Sequence, residues 1–164
     1  MRRADRMHPQ DSIMPCGLNR LTGKVYPGSA DCPGTLPADA AVRYSYDDAS
    51  GGNYGRGLRT GMATSTGTSA AWRYDTRGRL TSETRTVAGA GGGSFLTQWQ
   101  YNARDQLQTQ IYPADASGGA DESVTTHYDD WSRPRRLYGL NTYVDDTSYD
   151  ALGRRVSATV GTVT

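Results

Sequence analysis

The sequence predicts an all-β protein, an array of antiparallel β-hairpins, and three observations carry that reading. A tyrosine followed by an acidic or amide residue occurs five times: Tyr46-Asp47, Tyr74-Asp75, Tyr101-Asn102, Tyr128-Asp129 and Tyr149-Asp150. The tyrosines lie 28, 27, 27 and 21 residues apart, a period that belongs to arrays whose units bury their faces against neighbours. Period-two alternation of larger and smaller side chains precedes these phrases, the signature of a half-buried strand, and no stretch holds a helical period over three turns. Glycine is abundant, at 20 residues, as a turn-rich β protein requires.

Residues 1–40 stand apart. Five of the seven prolines (Pro9, Pro15, Pro27, Pro33, Pro37) fall here, which excludes a helix. The segment reads as irregular, with one short strand near Lys24-Val25-Tyr26. The array is expected over 42–164. Its first copy, Tyr44-Ser45-Tyr46-Asp47, has a long tip through Gly55 before Arg56-Gly57-Leu58. The second is the clearest: Trp72 and Tyr74 share a face, and Asp75-Thr76-Arg77-Gly78 carries turn chemistry. Asp suits the first position of a type I turn and Gly the fourth. Arg79-Leu80 then begins a returning strand. In the third copy Trp99 and Tyr101 share a face, Asn102 replaces Asp, Asp105 takes the Gly place, and Leu107 returns. In the fourth, Tyr128-Asp129 leads to Ser132 in the Gly place and Pro134 in the Leu place. In the fifth, Tyr143, Asp145, Thr147 and Tyr149 are expected on one face, before Asp150-Ala151-Leu152-Gly153-Arg154. Small-residue connectors, 88–94 and 114–120, read as flexible linkers.

Composition narrows the function classes. Leu, Ile, Val and Phe together supply only 21 residues, too few for an ordinary core. Net charge is +1, so self-repulsion does not hold the chain open, and eleven Tyr with three Trp carry much of the missing apolar area. Shallow, repeated burial of aromatics fits both facts. All basic residues but Lys24 are arginine, and they are balanced by 17 acidic residues. Nucleic acid is not an expected partner, since that needs a net basic footprint. Arginine stacking on aromatic rings accounts for the bias, as does the base composition of the gene, and both stay open. The N-terminal residues lack the apolar stretch of a secretory signal, and no run reaches the length of a membrane span. Export is therefore expected only as part of a larger secreted or cell-surface assembly. Cys16 and Cys32 are the only cysteines. A disulfide and two free thiols are both compatible with their spacing, and a zinc site is not.

The phrase Tyr74-Asp75-Thr76-Arg77-Gly78-Arg79-Leu80, nearly matched by Tyr149-Asp150-Ala151-Leu152-Gly153-Arg154-Arg155-Val156, resembles the YD-repeat (Rhs-repeat) family. Its members include bacterial rearrangement-hotspot proteins, toxin-complex C components and the animal teneurins. The resemblance covers about residues 42–164. It implies hairpins joined edge to edge into a curved or spiralling sheet which, in the bacterial members, encloses a toxic domain. The implied partners are the rest of such a shell and its enclosed toxin. The chain departs from the family in lacking any Asp-Pro pair, and so the self-cleaving aspartates, and in carrying no variable domain after the array. Five hairpins give about ten strands, or about 48 Å of sheet, too little to close around a folded domain. The expectation is a fragment of a shell: a truncated gene product, an excised piece or one segment of a split shell.

Sequence chemistry favours structure over catalysis. Adjacent carboxylates at Asp47-Asp48, Asp129-Asp130 and Asp145-Asp146 point to opposite faces in a strand and suit turns. His8 and His127 have no motif around them, and Gly91-Gly92-Gly93 lacks the lysine and helix of a phosphate loop. No catalytic residue, cofactor or metal site is expected. Trp72 and Trp99 are candidates for stacking on sugar rings, against the alternative of cross-strand packing at about 0.2–1 kcal/mol per pair. That alternative predicts that Tyr74→Ala destabilises the chain by a few kcal/mol in urea titration, as loss of a packed aromatic does. A loss under about 0.5 kcal/mol, the ordinary surface range, would remove the packing role.

Overall fold

The structure is a computed structural model that describes residues 12–15, 20–25, 41–114 and 121–161. Strand is the main regular structure of the described residues: β1 Ser12–Pro15, β2 Leu21–Val25, β3 Val42–Tyr46, β4 Arg59–Thr64, β5 Ser69–Tyr74, β6 Leu80–Val87, β7 Gly93–Tyr101, β8 Leu107–Tyr112, β9 Glu122–Tyr128, β10 Pro134–Tyr138, β11 Thr142–Tyr149 and β12 Arg155–Val160. One 3-10 turn, Ser50–Gly52, interrupts them. The all-β hairpin array is therefore the fold. Each tyrosine of the recurring phrase is the last residue of its strand. At the last four corners the alternating side chains end where the turn begins, because the following Asp or Asn accepts nearby amides of its own turn and competes with continued extension.

The chain divides into two compact units. The first takes residues up to Arg79 together with 85–94. Here β1 to β5 follow one another in sequence order, each antiparallel to the last. The long tip between β3 and β4 is folded back onto the end of β5. Asn53, 3% exposed, donates Nδ2 to the Trp72 carbonyl at 3.3 Å and accepts the Tyr74 amide on Oδ1 at 2.8 Å. The Tyr54 amide donates to the Tyr74 carbonyl. One buried amide thus does the work of a short strand. Gly55 is required beside it, since a Cβ there would sit 2.5 Å from the Asp48 carbonyl oxygen.

The second unit takes residues 80–84 and everything from Phe95. Strands β7 to β12 again follow sequence order and are antiparallel. On β7 the exposure alternates without a break, with Phe95, Thr97, Trp99 and Tyr101 half-buried and the residues between them exposed.

The burial is shallow throughout. Among the described residues, Ala70 is the one buried hydrophobic side chain, while Asn53, Thr60, Ser82 and Thr147 are buried polar ones. The apolar rows are half-covered, which matches a composition poor in branched aliphatics and rich in tyrosine.

Three expectations are corrected. The segment 1–40 is not irregular where it is described: β1 precedes β2, the two pair, and Gly23 and Lys24 of β2 pair with Arg43 and Val42 of β3. The proline-rich composition hid this because Pro15 closes a strand end, where a missing amide is tolerated. The face expected from Tyr143, Asp145, Thr147 and Tyr149 is broken by a register shift between Val144 and Asp146. Val144 and Thr147 lie opposite Val160 and Ala158, so they share a face instead. The connector at 88–94 is a tight turn: the Gly92 amide donates to the Gly89 carbonyl, and Gly93-Ser94 already belong to β7. Residues 115–120 of the second connector, and Cys16 and Cys32, lie outside the described residues.

Candidate functional site

The sites that recur are the hairpin corners, and each does two separate jobs. The first is closure of its own hairpin. Asp75 accepts the Arg77 amide at 2.9 Å and the Arg79 amide at 3.0 Å on Oδ1, and the Arg79 Nε at 2.7 Å on Oδ2. Its backbone carbonyl accepts the Gly78 amide, and its amide donates to the Arg79 carbonyl. Gly78 takes φ +75°, the left-handed conformation expected at the fourth turn position. Asp129 with Arg133, and Asp150 with Arg154, repeat the clasp at 2.7 Å between Oδ2 and Nε. Asn102 keeps the two amide bonds, from Arg104 and Gln106, and replaces the ion pair with its own Nδ2 donating to Gln106 Oε1 at 2.9 Å. Asp105 and Ser132 stand in the glycine place with φ 62° and 67°.

The first corner departs from this plan. Asp47 itself is left-handed, with φ 64°. It accepts the Gly57 amide at 2.6 Å and pairs with Arg20 through both carboxylate oxygens.

The second job is attachment to the hairpin before. Every tyrosine hydroxyl of the phrase donates to the backbone carbonyl of the first residue of the preceding returning strand. Tyr46 reaches Leu21, Tyr74 reaches Arg59, Tyr101 reaches Leu80, Tyr128 reaches Leu107 and Tyr149 reaches Pro134, at 2.5 to 2.9 Å. The backbone dictates this. The carbonyls of Leu58, Arg79, Gln106 and Arg133 each point into their own hairpin and accept the amide that follows the tyrosine. Carbonyl direction alternates along a strand, so the next carbonyl must point outward. A one-residue bulge follows at Thr60, Gln108 and Arg135, skipped in the cross-strand register beside Tyr46, Tyr101 and Tyr128.

Arginine joins the corners to the aromatics. The Arg59 guanidinium lies 4.7 Å from the Trp72 ring and 5.4 Å from Tyr44. Arg20 lies over Tyr46 and Arg133 over Tyr149, at 4.8 and 4.5 Å. One candidate sugar-stacking ring, Trp72, is thus covered by a cation. Trp99 is half-buried opposite Gln110. The exposed indole is Trp131, at 80%, on the tip of the fourth hairpin.

Electrostatics follow the clasp. Burial is the strongest single influence on the Asp75 carboxyl and pushes it up, but the Arg79 guanidinium and the Arg79 and Arg77 amides together hold it below the usual carboxylate range. Asp129 follows the same pattern with Arg133. At Asp150 the Arg154 amide and then its guanidinium lower the carboxyl. Burial raises the Tyr74 and Tyr128 hydroxyls. His127 packs on Tyr138 with centroids 4.9 Å apart, on the exposed side of β9 away from Tyr128. Among the described residues no group of three or more His, Cys, Asp or Glu could hold a metal, and no helix is long and apolar enough to cross a membrane.

Tyr, Asp and Gly at the corners, with Arg79 and Arg154, are marked in the sequence. Arg133 and Gln106 were not expected at the corners, although the i, i+4 pairing of Asp with Arg, changed jointly to Asn with Gln, is written in the sequence. For the carbonyl acceptors and Asn53 the sequence carries no local signal. Comparison with models of known protein families and with curated proteins found no match.

Two outcomes are expected. Tyr128→Phe keeps the ring and loses the bond to Leu107, costing about 0.5–1.5 kcal/mol in urea titration; an unchanged midpoint would dissociate the hydroxyl from stability. The lowered Asp75, Asp129 and Asp150 carboxyls give stability that is fully present above the ordinary carboxylate range and is lost as pH falls below that range and through their lowered folded-state values. The double substitution Asp75→Asn with Arg79→Gln copies the uncharged third corner. It is expected to fold and to make the acid loss shallower, read from urea midpoints at neutral and acid pH; an equally steep loss would contradict the clasp.

Proposed function

We propose that the chain is a non-catalytic structural segment of a YD-repeat (Rhs-repeat) shell, a hairpin wall that encloses a polymorphic toxin. The observation that carries this reading is the tyrosine attachment: five hydroxyls each join a hairpin to the one before it. The corner residues are consumed by this work. Asp75, Asp129 and Asp150 have their carboxylates bound by their own turns, and the tyrosine hydroxyls are spent on backbone carbonyls, so the recurring phrase is explained without substrate. Partners are the remaining wall and its cargo, and export follows from the larger assembly. A carbohydrate-binding or adhesive role has less support, because Arg59 lies over Trp72 and Trp99 is half-buried.

The test is isolation of the native assembly that contains this chain, followed by limited proteolysis. A co-purifying cargo polypeptide is expected to resist protease while the wall is intact and to become cleavable when Tyr128→Ala loosens it. Cargo that is equally cleavable with and without the substitution, or no cargo beside a folded wall, would refute enclosure.

A further inference from the structure

The returning strand β12 is exposed along its whole length. Its six residues, Arg155–Val160, are all exposed, with Val156 at 66% and Val160 at 76%. Of the returning strands that another hairpin follows, β6 and β8 keep most of their residues half-buried or buried, and β10 keeps Leu137 half-buried. Among the described residues β12 pairs only with β11. Its sequence after Arg155, Val-Ser-Ala-Thr-Val, holds no charge and no proline, the devices that ordinarily blunt a free edge. Leu152 on the tip of the same hairpin is 78% exposed.

The acceptor is in place as well. The Arg154 carbonyl points into the hairpin and accepts the Asp150 amide at 2.9 Å, as Arg79, Gln106 and Arg133 do at their corners. The bulge recurs too, at Val156 beside Tyr149. By the same alternation the Arg155 carbonyl faces the outer edge of β12, the position from which Leu80, Leu107 and Pro134 accept a tyrosine.

We infer that the β12 edge is a docking site for one further β-hairpin, whose leading strand runs antiparallel to β12 and ends in a tyrosine that donates its hydroxyl to the Arg155 carbonyl. The inference rests on the array reading above and names the partner at this edge. The occupant is specified by backbone pairing plus one hydroxyl, and its side chains cover Val156 and Val160. A strand ending in phenylalanine fits the same edge less tightly.

The test extends the full chain at its C-terminus by one further copy of residues 141–161, which keeps the tyrosine spacing within the range the chain already uses and supplies the hairpin at high effective concentration. A second extended chain carries Tyr149→Phe in the appended copy only. Amide hydrogen exchange at Val156–Val160 is read in both and in the unextended chain. The expected result is slowed exchange in the first extension, with about tenfold less protection in the phenylalanine version. Exchange as fast as in the unextended chain overturns the docking site. Equal protection in the two extensions overturns the tyrosine contact. Protection in the unextended chain that rises with protein concentration assigns the edge to a second copy and overturns the hairpin occupant. Enclosure is scored separately, by cleavage of cargo, so loss of either reading is distinguishable from loss of the other.

Discussion

The bond from a tyrosine hydroxyl to an outward-facing backbone carbonyl is the constraint on which the rest of the structure depends. A hairpin alone is marginally stable in water, and these hairpins have little apolar mass to offer. Their returning strands nevertheless present one carbonyl at a fixed place, one residue beyond the carbonyl that closes the turn. A tyrosine at the end of the next leading strand reaches it only in one register, because a shift by one residue would turn the ring to the opposite face. The contact therefore fixes register as well as adding a hydrogen bond. It explains why the phrase is Tyr and not Phe, and why Tyr46, Tyr74, Tyr101, Tyr128 and Tyr149 all end their strands.

The turn chemistry serves that register. The Asp carboxylate replaces a backbone acceptor at the tip, so that the hairpin closes through Oδ1 while the amide after the tyrosine bonds across. Where Ser132 takes the glycine place, the neighbouring tip bonds it. Ser132, at a cost of roughly 1 kcal/mol for its conformation, accepts Gln106 Nε2 on its carbonyl at 2.7 Å and Arg104 Nη1 on its hydroxyl at 3.1 Å. The third and fourth corners are thus tied through their turns as well as through Tyr128. At the second, fourth and fifth corners charge is used locally, with Asp and Arg four residues apart, and such solvent-accessible pairs contribute modestly one by one.

Much of this was legible in the sequence, for a physical reason. Strand alternation, Asp at the turn start and Gly at its end are local preferences, and the corners at Tyr74 and Tyr149 follow them directly. What was not legible depends on residues distant in the chain or on an extra residue in a strand. The bulges beside the corners have no composition of their own. Asn53 bonds Trp72 and Tyr74 across 19 and 21 residues, and nothing near it announces a buried amide. The strand at Ser12–Pro15 was hidden by proline, whose effect depends on whether its position needs an amide. At Trp72 the ring was visible and its cover was not, because Arg59 arrives from another strand.

The most direct measurement of the central claim is solution NMR of the folded chain, observing the Tyr128 ring protons. The account predicts nuclear Overhauser contacts from the outer ring protons to the Leu107 α-proton and the Gln108 amide, together with the Thr109–Thr125 cross-strand contacts of the same register. Contacts centred one residue away, on Gln106 or Thr109, or none at all in a chain that retains its strands, would contradict it.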